Sequence, residues 1–165
     1  MHAAFNIRQL TTVDVPLMRS LNALFGVAFE DPGTYGADPP PPDYLRRVLG
    51  RPHVIVFVAV AEAEVVGGLV AYELEKLERA HSEIYLYDLA VAEAHRRRGI
   101  ATALIDRLRA LAAQRGSSVV YVQADWDDEP AKALYEKLGT RQQVLHFELE
   151  PIGPAHAAGS PPESS

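Results

Sequence analysis

One stretch, Glu83 to Ala124, leaves this chain few folds to choose from. An apolar, strand-like run, Ile84–Val91, leads into Arg96-Arg97-Arg98-Gly99-Ile100-Ala101 and then an amphipathic run over Gly99–Gln114, stopped by Gly116. A second strand-like run, Val119–Ala124, is apolar except for Gln123. A long helix between two strands predicts a parallel pair joined by a right-handed crossover. The turn before the helix adds a constraint of its own. Cations at a helix N-terminus oppose the helix dipole, each at a cost of ~0.3–1 kcal/mol. Three consecutive arginines there make sense if an anion is held on the free N–H groups of the first turn. Gly99 lets the backbone approach that anion closely, and Ala101 keeps the next turn slim. The segment reads as a strand–turn–helix that grips a pyrophosphate.

The flanking sequence supplies the rest of a sheet. Phe5-Asn6-Ile7-Arg8 alternates as a first strand should, and Asp14 reads as the N-cap of a helix whose apolar stripe is Leu17, Met18, Leu21, Leu24, Phe25 and Ala28. Glu30–Asp43, ending in the prolines Pro39–Pro42, reads as an irregular loop, and Asp43–Leu49 as a short second helix. Val54–Ala61 and Val65–Glu75 form a hairpin around Glu62-Ala63-Glu64, followed by the strand Glu83–Val91. A helix is expected at Pro130–Leu138, with Gly139 as its stop, and an alternating strand at Leu145–Glu150 closes the sheet. The 165 residues are most simply one domain over 1–150, with a Pro-, Gly-, Ala- and Ser-rich tail, 151–165, that reads as disordered.

Composition narrows the chemistry. With no cysteine, disulfides, zinc-thiolate sites and acyl-cysteine intermediates are excluded. A net charge of −6 disfavours nucleic acid and anionic membranes as partners and favours a cation. The longest apolar run, Val54–Ala61, is too short to span a bilayer, and no secretory signal pattern opens the chain, so a cytoplasmic protein is expected. The six histidines are scattered and make no metal set; no metal is expected.

Asp88 stands out within its apolar strand, because a buried carboxylate is costly without a partner or a task. It is either an acceptor for a substrate ammonium, a general base, or a structural carboxylate paired with backbone or a basic group. Glu83 is a lesser candidate for the same work. Asp125-Trp126-Asp127-Asp128-Glu129 places four carboxylates just past the end of a parallel strand, where open α/β sheets tend to bind ligands. That rim suits a polycation, with Glu30, Asp31, Tyr35 and Asp38 as a candidate opposite wall; a solvated loop that caps the next helix is the plainer reading.

With these parts in place the chain resembles the GCN5-related N-acetyltransferase (GNAT) superfamily. Its phosphate motif, Gln/Arg-x-x-Gly-x-Gly/Ala, is matched by Arg96, Gly99 and Ala101, and the order of elements agrees over about Phe5–Glu150. Ser82–Val91, Tyr121–Asp125, Ala133–Gly139 and His146-Phe147 look like one subgroup, the class I aminoglycoside 3-N-acetyltransferases of antibiotic resistance. The resemblance implies an α/β (α+β) fold: a mixed, mostly antiparallel sheet of six to seven strands flanked by about four helices, with a parallel pair splayed at the coenzyme site. It implies acetyl-CoA as cosubstrate, its pyrophosphate on the loop Arg96, Arg97, Arg98, Gly99, Ile100, Ala101 and Thr102. Its pantetheine arm would pair with the backbone of Leu89, Ala90 and Val91.

The resemblance also implies that Tyr135, in Ala-Leu-Tyr-Glu-Lys-Leu-Gly, is the acid that protonates the departing thiolate. The reaction implied is direct acetyl transfer to an aminoglycoside amine in a ternary complex, with strand N–H groups holding the tetrahedral oxyanion. A homodimer is implied as in many relatives. Two other readings stay open at this point: a polyamine or basic-peptide acetyltransferase, and an acetyl-CoA-binding sensor without chemistry.

Overall fold

The computed structural model describes residues 4–153. Its sheet is organised around a hairpin of β2 (Val54–Ala61) and β3 (Glu64–Glu75). Glu62 and Ala63 join them with φ of 51° and 67°. This left-handed pair matches the twist of the two strands. β1 (Asn6–Gln9) adds antiparallel to β2, β4 (Ser82–Val91) antiparallel to β3, and β5 (Ser117–Val122) parallel to β4, giving the order β1-β2-β3-β4-β5. The crossover from β4 to β5 is α4 (Ile100–Arg115), bounded by two left-handed glycines, Gly99 and Gly116.

Both faces of the sheet are covered. α1 (Val15–Ala28) and α3 (Pro42–Leu49) set Met18, Leu21, Phe25, Leu45 and Leu49 against Val56, Val58, Val70 and Ala90. The alternate strand residues Ile55, Phe57, Leu69 and Ala71 are buried on the opposite face, where α4 lies with Ile100, Leu104, Ile105 and Leu108 also buried. Each fully buried Leu, Ile or Phe contributes about 1.5–3 kcal/mol.

A polar network pins the start of the parallel pair. The Ser82 hydroxyl donates to Glu73 Oε1 at 2.6 Å and meets the Ser117 hydroxyl at 2.7 Å, while Arg115 donates to Glu73 Oε2 at 2.6 Å and to the Pro52 carbonyl at 2.8 Å. Burial pushes the Glu73 carboxyl up, but the Ser82 and Arg115 hydrogen bonds more than offset it, so its pKa lies below the usual glutamate range.

The chain departs from sequence expectation at several places. Asp14 precedes α1 without capping it, because Pro16 removes one of the two donors a cap can reach. Its carboxylate instead accepts from Thr11 N (2.7 Å), Thr11 Oγ1 (2.9 Å) and the Arg8 guanidinium. The segment expected to be an irregular loop contains a short helix, α2 (Pro32–Gly36), which Asp31 caps by accepting from Thr34 N at 3.0 Å. α3 begins one residue early, at Pro42, since proline is tolerated in a first helical turn. β5 runs Ser117–Val122 rather than Val119–Ala124.

The described residues divide into two units, the second beginning at Glu129 with α5 (Glu129–Glu136). There the N–H groups of Leu138 and Gly139 both close on the Tyr135 carbonyl. Leu145–Glu150 is not a strand: Leu145, Phe147 and Leu149 are exposed. Alternation says which side chains would share a face, but a strand needs a backbone partner that the pattern does not name. Among the described residues the sheet therefore has five strands, not six to seven, and five α-helices accompany it.

Candidate active site

β4 reaches the site through an irregularity. Val70 pairs with Asp88 but Ala71 with Leu86, so Tyr87 is an extra residue in a β-bulge. A bulge re-aims the side chains beyond it. Ile84 and Leu86 belong to the buried set on the α4 side, whereas Ala90 joins the α1 and α3 core. Without the bulge, Asp88 would share a face with Ile84 and Leu86. With it, Asp88 lies on the α1 side, where the Tyr35 hydroxyl donates to Asp88 Oδ1 at 3.0 Å.

Phenols surround that carboxylate. Tyr87 meets the rings of Tyr72 and Tyr85 edge-on at 6.0 and 5.3 Å, Tyr85 stacks on Tyr121 at 4.9 Å, and the Tyr85 hydroxyl donates to Gln123 Oε1 at 2.9 Å. Tyr87 remains 61% exposed. Burial raises the pKa of the half-buried Asp88, and the Tyr35 hydrogen bond opposes that rise without cancelling it. Burial and the nearby Asp88 charge push Tyr35 far above an ordinary phenol, so it stays a neutral donor. Burial also raises Tyr72 and Tyr85, with Asp88 adding to both. Among the described residues no basic side chain forms an ion pair with Asp88.

Just before Asp88 the parallel pair parts. Ladder pairing with β5 ends at Leu86 and Val122, while β4 continues to Val91. Leu89, Ala90 and Val91 are thus paired with β3 on one side only. A 3-10 turn, Glu93–His95, follows, then Arg96 in extended conformation, Arg97 with φ 62° and Gly99 with φ 77°. The first backbone N–H of α4 to close on the chain is Ala103, on the Gly99 carbonyl at 2.9 Å. The N–H groups of Ile100, Ala101 and Thr102 therefore point out of the helix end. A Cβ at Gly99 would meet nothing within 4 Å. Arg96, Arg97 and Arg98 are exposed; Arg96 Nε donates to the Val91 carbonyl at 3.2 Å, and Arg98 Nη1 lies 3.4 Å from His95 Nδ1. Open amides, left-handed backbone and surrounding guanidinium groups fit a pyrophosphate.

Glu83 lies away from this site. It is near Lys76 Nζ, at 3.8 Å, roughly 16 Å along β4 from Asp88. Asp125, Asp127 and Asp128 are exposed after β5, with Asp128 N–H on the Asp125 carbonyl at 3.2 Å. In the second unit Glu129 pairs with Lys132 at 2.6 Å, and Tyr135 sits in α5. A cleft of about 320 Å³ between α1 and α2 is lined by Ala23, Gly26, Val27, Glu30, Pro32, Tyr35 and Gly36, and shares only Tyr35 with the Asp88 site. Sequence reasoning missed Tyr72, Tyr85, Tyr87 and Tyr121. The spacing Tyr85-x-Tyr87 signals one shared face, but the bulge that adds Asp88 to it has no sequence mark. No metal-binding group of three or more His, Asp or Glu occurs among the described residues, and no helix among them is long and apolar enough to cross a membrane.

Comparison with known proteins accords with this geometry. Residues 20–140 match the Acetyltransferase (GNAT) family model. No match was found among curated proteins. Among solved structures the chain is similar to an aminoglycoside acetyltransferase, HMB0005, from an uncultured soil metagenomic sample: 52% identity, TM-score 0.88, covering 91% of this chain and 99% of that one. It is also similar to the aminoglycoside acetyltransferase meta-AAC0020, likewise from an uncultured soil metagenomic sample and solved in complex with sisomicin: 31% identity, TM-score 0.83, covering 90% and 97%. The aminoglycoside N-acetyltransferase AAC(6')-Iy, solved with CoA, shares the fold at 18% identity and TM-score 0.73, covering 92% and 98%. A carboxylate on a bulged strand, an open helix end in the same crossover and a family match across most of the chain lead to one conclusion: this chain belongs to the GNAT family of acetyltransferases.

Proposed function

We propose that the protein transfers the acetyl group of acetyl-CoA to an amine of an aminoglycoside, at the 3-N position by resemblance, and so confers resistance in the cytoplasm. The observation that carries this reading is the half-buried Asp88 carboxylate, without a cationic partner among the described residues, on the part of β4 that has no β5 partner. A carboxylate so placed receives an ammonium group and then accepts its proton. The two metagenomic relatives named above, both aminoglycoside acetyltransferases, support an aminoglycoside as the source of that ammonium.

The chain's own groups divide the work. The N–H groups around Arg97–Thr102, with the side chains of Arg96, Arg97 and Arg98, bind the pyrophosphate; the backbone of Leu89, Ala90 and Val91 aligns the pantetheine arm and donates to the developing oxyanion. Once Asp88 has taken the ammonium proton, the neutral amine forms the N–C bond, and as the C–S bond breaks the second nitrogen proton leaves to water. Tyr135 supplies a proton to the departing thiolate, a role taken from the resemblance. Asp125, Asp127, Asp128 and Glu129 attract the remaining ammonium groups. Without cysteine the acetyl group moves directly, in a ternary complex.

The test is thiol release from acetyl-CoA with gentamicin, kanamycin, spermine and a lysine peptide as separate acceptors, followed by NMR of the product to locate the acetyl group. Release with gentamicin and acetylation at 3-N is expected. Release only with spermine or peptide would discard the aminoglycoside, and parallel double-reciprocal plots would discard the ternary complex.

A further inference from the structure

We propose that Tyr35 is a positioning residue for Asp88, held by helix α2 so that its hydroxyl fixes one carboxylate oxygen and leaves the other for the amine. This rests on the acetyl-transfer reading and adds a residue to it. The hydrogen bond joins residues 53 apart in sequence, and the chain between α1 and α2 is shaped to make it. α1 ends by closing Asp31 N–H on the Gly26 carbonyl (3.0 Å) and Glu30 N–H on the Val27 carbonyl (3.3 Å), with Glu30 left-handed at φ 54°. This is a Schellman ending with glutamate where glycine is usual, so the reversal is maintained against its local preference. Asp31 then caps α2, and the Tyr35 ring packs against Phe25 and Phe29 at 5.8 and 5.6 Å.

Gly26 accounts for how close α2 can come. A glycine inside a helix costs roughly 0.5–1 kcal/mol relative to alanine. A Cβ at Gly26 would stand 3.3 Å from Tyr35 Cβ. The glycine thus gives up helix stability at the point where Tyr35 crosses α1.

The Asp88 charge acts on Tyr35 from α2, Tyr72 from β3 and Tyr85 from β4, and Tyr87 acts on all three; Asp31 acts on Tyr35, and Tyr44 on Tyr72. Apart from Asp31, all of these partners are phenols, and among the described residues only Tyr35 donates to Asp88. Burial drives Asp88 toward its neutral form and the Tyr35 hydrogen bond opposes this. Removing the hydroxyl therefore moves the Asp88 titration upward and, with it, the acid limb of kcat/KM.

Tyr35→Phe keeps the ring and removes only the donor. The expected result is a kcat about tenfold lower near neutral pH, an acid limb displaced to higher pH, and an unchanged KM for acetyl-CoA. Carboxyl-carbon NMR of Asp88 should show the same upward displacement without any substrate. Gly26→Ala, which leaves every polar group in place, should displace it in the same direction by less. A wild-type protein inactive on every amine would overturn the transfer reading, yet the NMR titration would still decide the role of Tyr35. An Asp88 titration that is the same in Tyr35→Phe as in wild type overturns the inference.

Discussion

Gly68 gives the sharpest test of how the site-bearing strand is held. It sits on β3 opposite Val58 of β2 and Ala90 of β4, two residues from Asp88. A Cβ there would stand 2.5 Å from Leu21 Cδ1, 3.0 Å from Leu21 Cδ2 and 2.8 Å from the Phe57 carbonyl oxygen. Carbon atoms rest at about 3.5–4.0 Å, so the shortfall against Leu21 is about 1 Å. Leu21 is fully buried, while the Phe57 oxygen belongs to the backbone of the central ladder. Overpacking of this kind costs about 1–3 kcal/mol, and the two-sided clash puts Gly68→Ala toward the upper end. Alanine restricts the unfolded chain and returns about 0.4–1 kcal/mol, leaving about 2 kcal/mol of net destabilisation. For a chain of this size that lowers Tm by about 4–8 °C, read by thermal melting followed by circular dichroism. Leu21→Val removes the clashing methyl groups, so Gly68→Ala should cost at least about 1 kcal/mol less in that background. A variant melting within a degree or so of wild type, or an equal cost in both backgrounds, refutes the packing argument.

Three further outcomes follow from the charges and the loop. Asp88→Asn should lower kcat by about 100- to 10,000-fold, the range lost with a general base. The folded carboxyl titrates above the 3.8 of an ordinary aspartate, so its ionised form weakens the fold above that folded value; the variant should therefore melt higher than wild type at neutral pH and lose this advantage below 3.8. An equal gain at both pH values refutes the desolvation argument. Glu73 is the opposite case: its folded pKa is depressed below 4.5, so its stabilising contribution is present above that value and is lost as pH falls through the folded pKa. Glu73→Gln should melt lower than wild type at neutral pH, by the equivalent of about 1.5–3 kcal/mol, with melts at acid pH converging. Gly99→Ala meets open space, so its stability cost is the left-handed backbone alone, about 1–2 kcal/mol, while KM for acetyl-CoA should rise; a lower Tm with unchanged KM removes the anion role of the loop.

The sequence made local features with obligate chemistry legible. Gly99 and Gly116 bracket α4 because left-handed positions strongly favour glycine, and the apolar runs around α4 announced a parallel pair. Asp88 was legible as a carboxylate in the wrong company. Its partner was not, because a hydrogen bond across 53 residues leaves no periodic trace. α2 was hidden for a different reason. Its residues, Pro32, Gly33, Thr34, Tyr35 and Gly36, are mostly turn formers, and only the Asp31 cap and Pro32 in the first turn argue for a helix. Leu145–Glu150 failed in the reverse direction, as a well-formed pattern without a pairing partner among the described residues.

Local strain and the functional elements fall in the same places. Among the described residues four non-glycine positions have positive φ. Glu62 and Ala63 make the β2–β3 turn, where the twist of the strands demands that geometry. The other two, Glu30 and Arg97, precede α2 and α4, the helices that bring Tyr35 to Asp88 and open amides to the end of β4. Backbone held off its preferred region persists only where the surroundings over-determine it. Here the surroundings are the aromatic packing of Phe25 and Phe29 under Tyr35, and the anchored α4 beyond Arg97. β4 shows the same division along its own length. Its start is locked to β5 through Ser82, Ser117, Glu73 and Arg115, and its end is released past Leu86. A strand bulged at Tyr87 and unpaired on one side beyond it would tend to slip in register. The lock at Ser82 opposes that slip while leaving the free edge open, so the hydrogen-bonded start of the strand fixes the register in which Asp88 and the open end are presented.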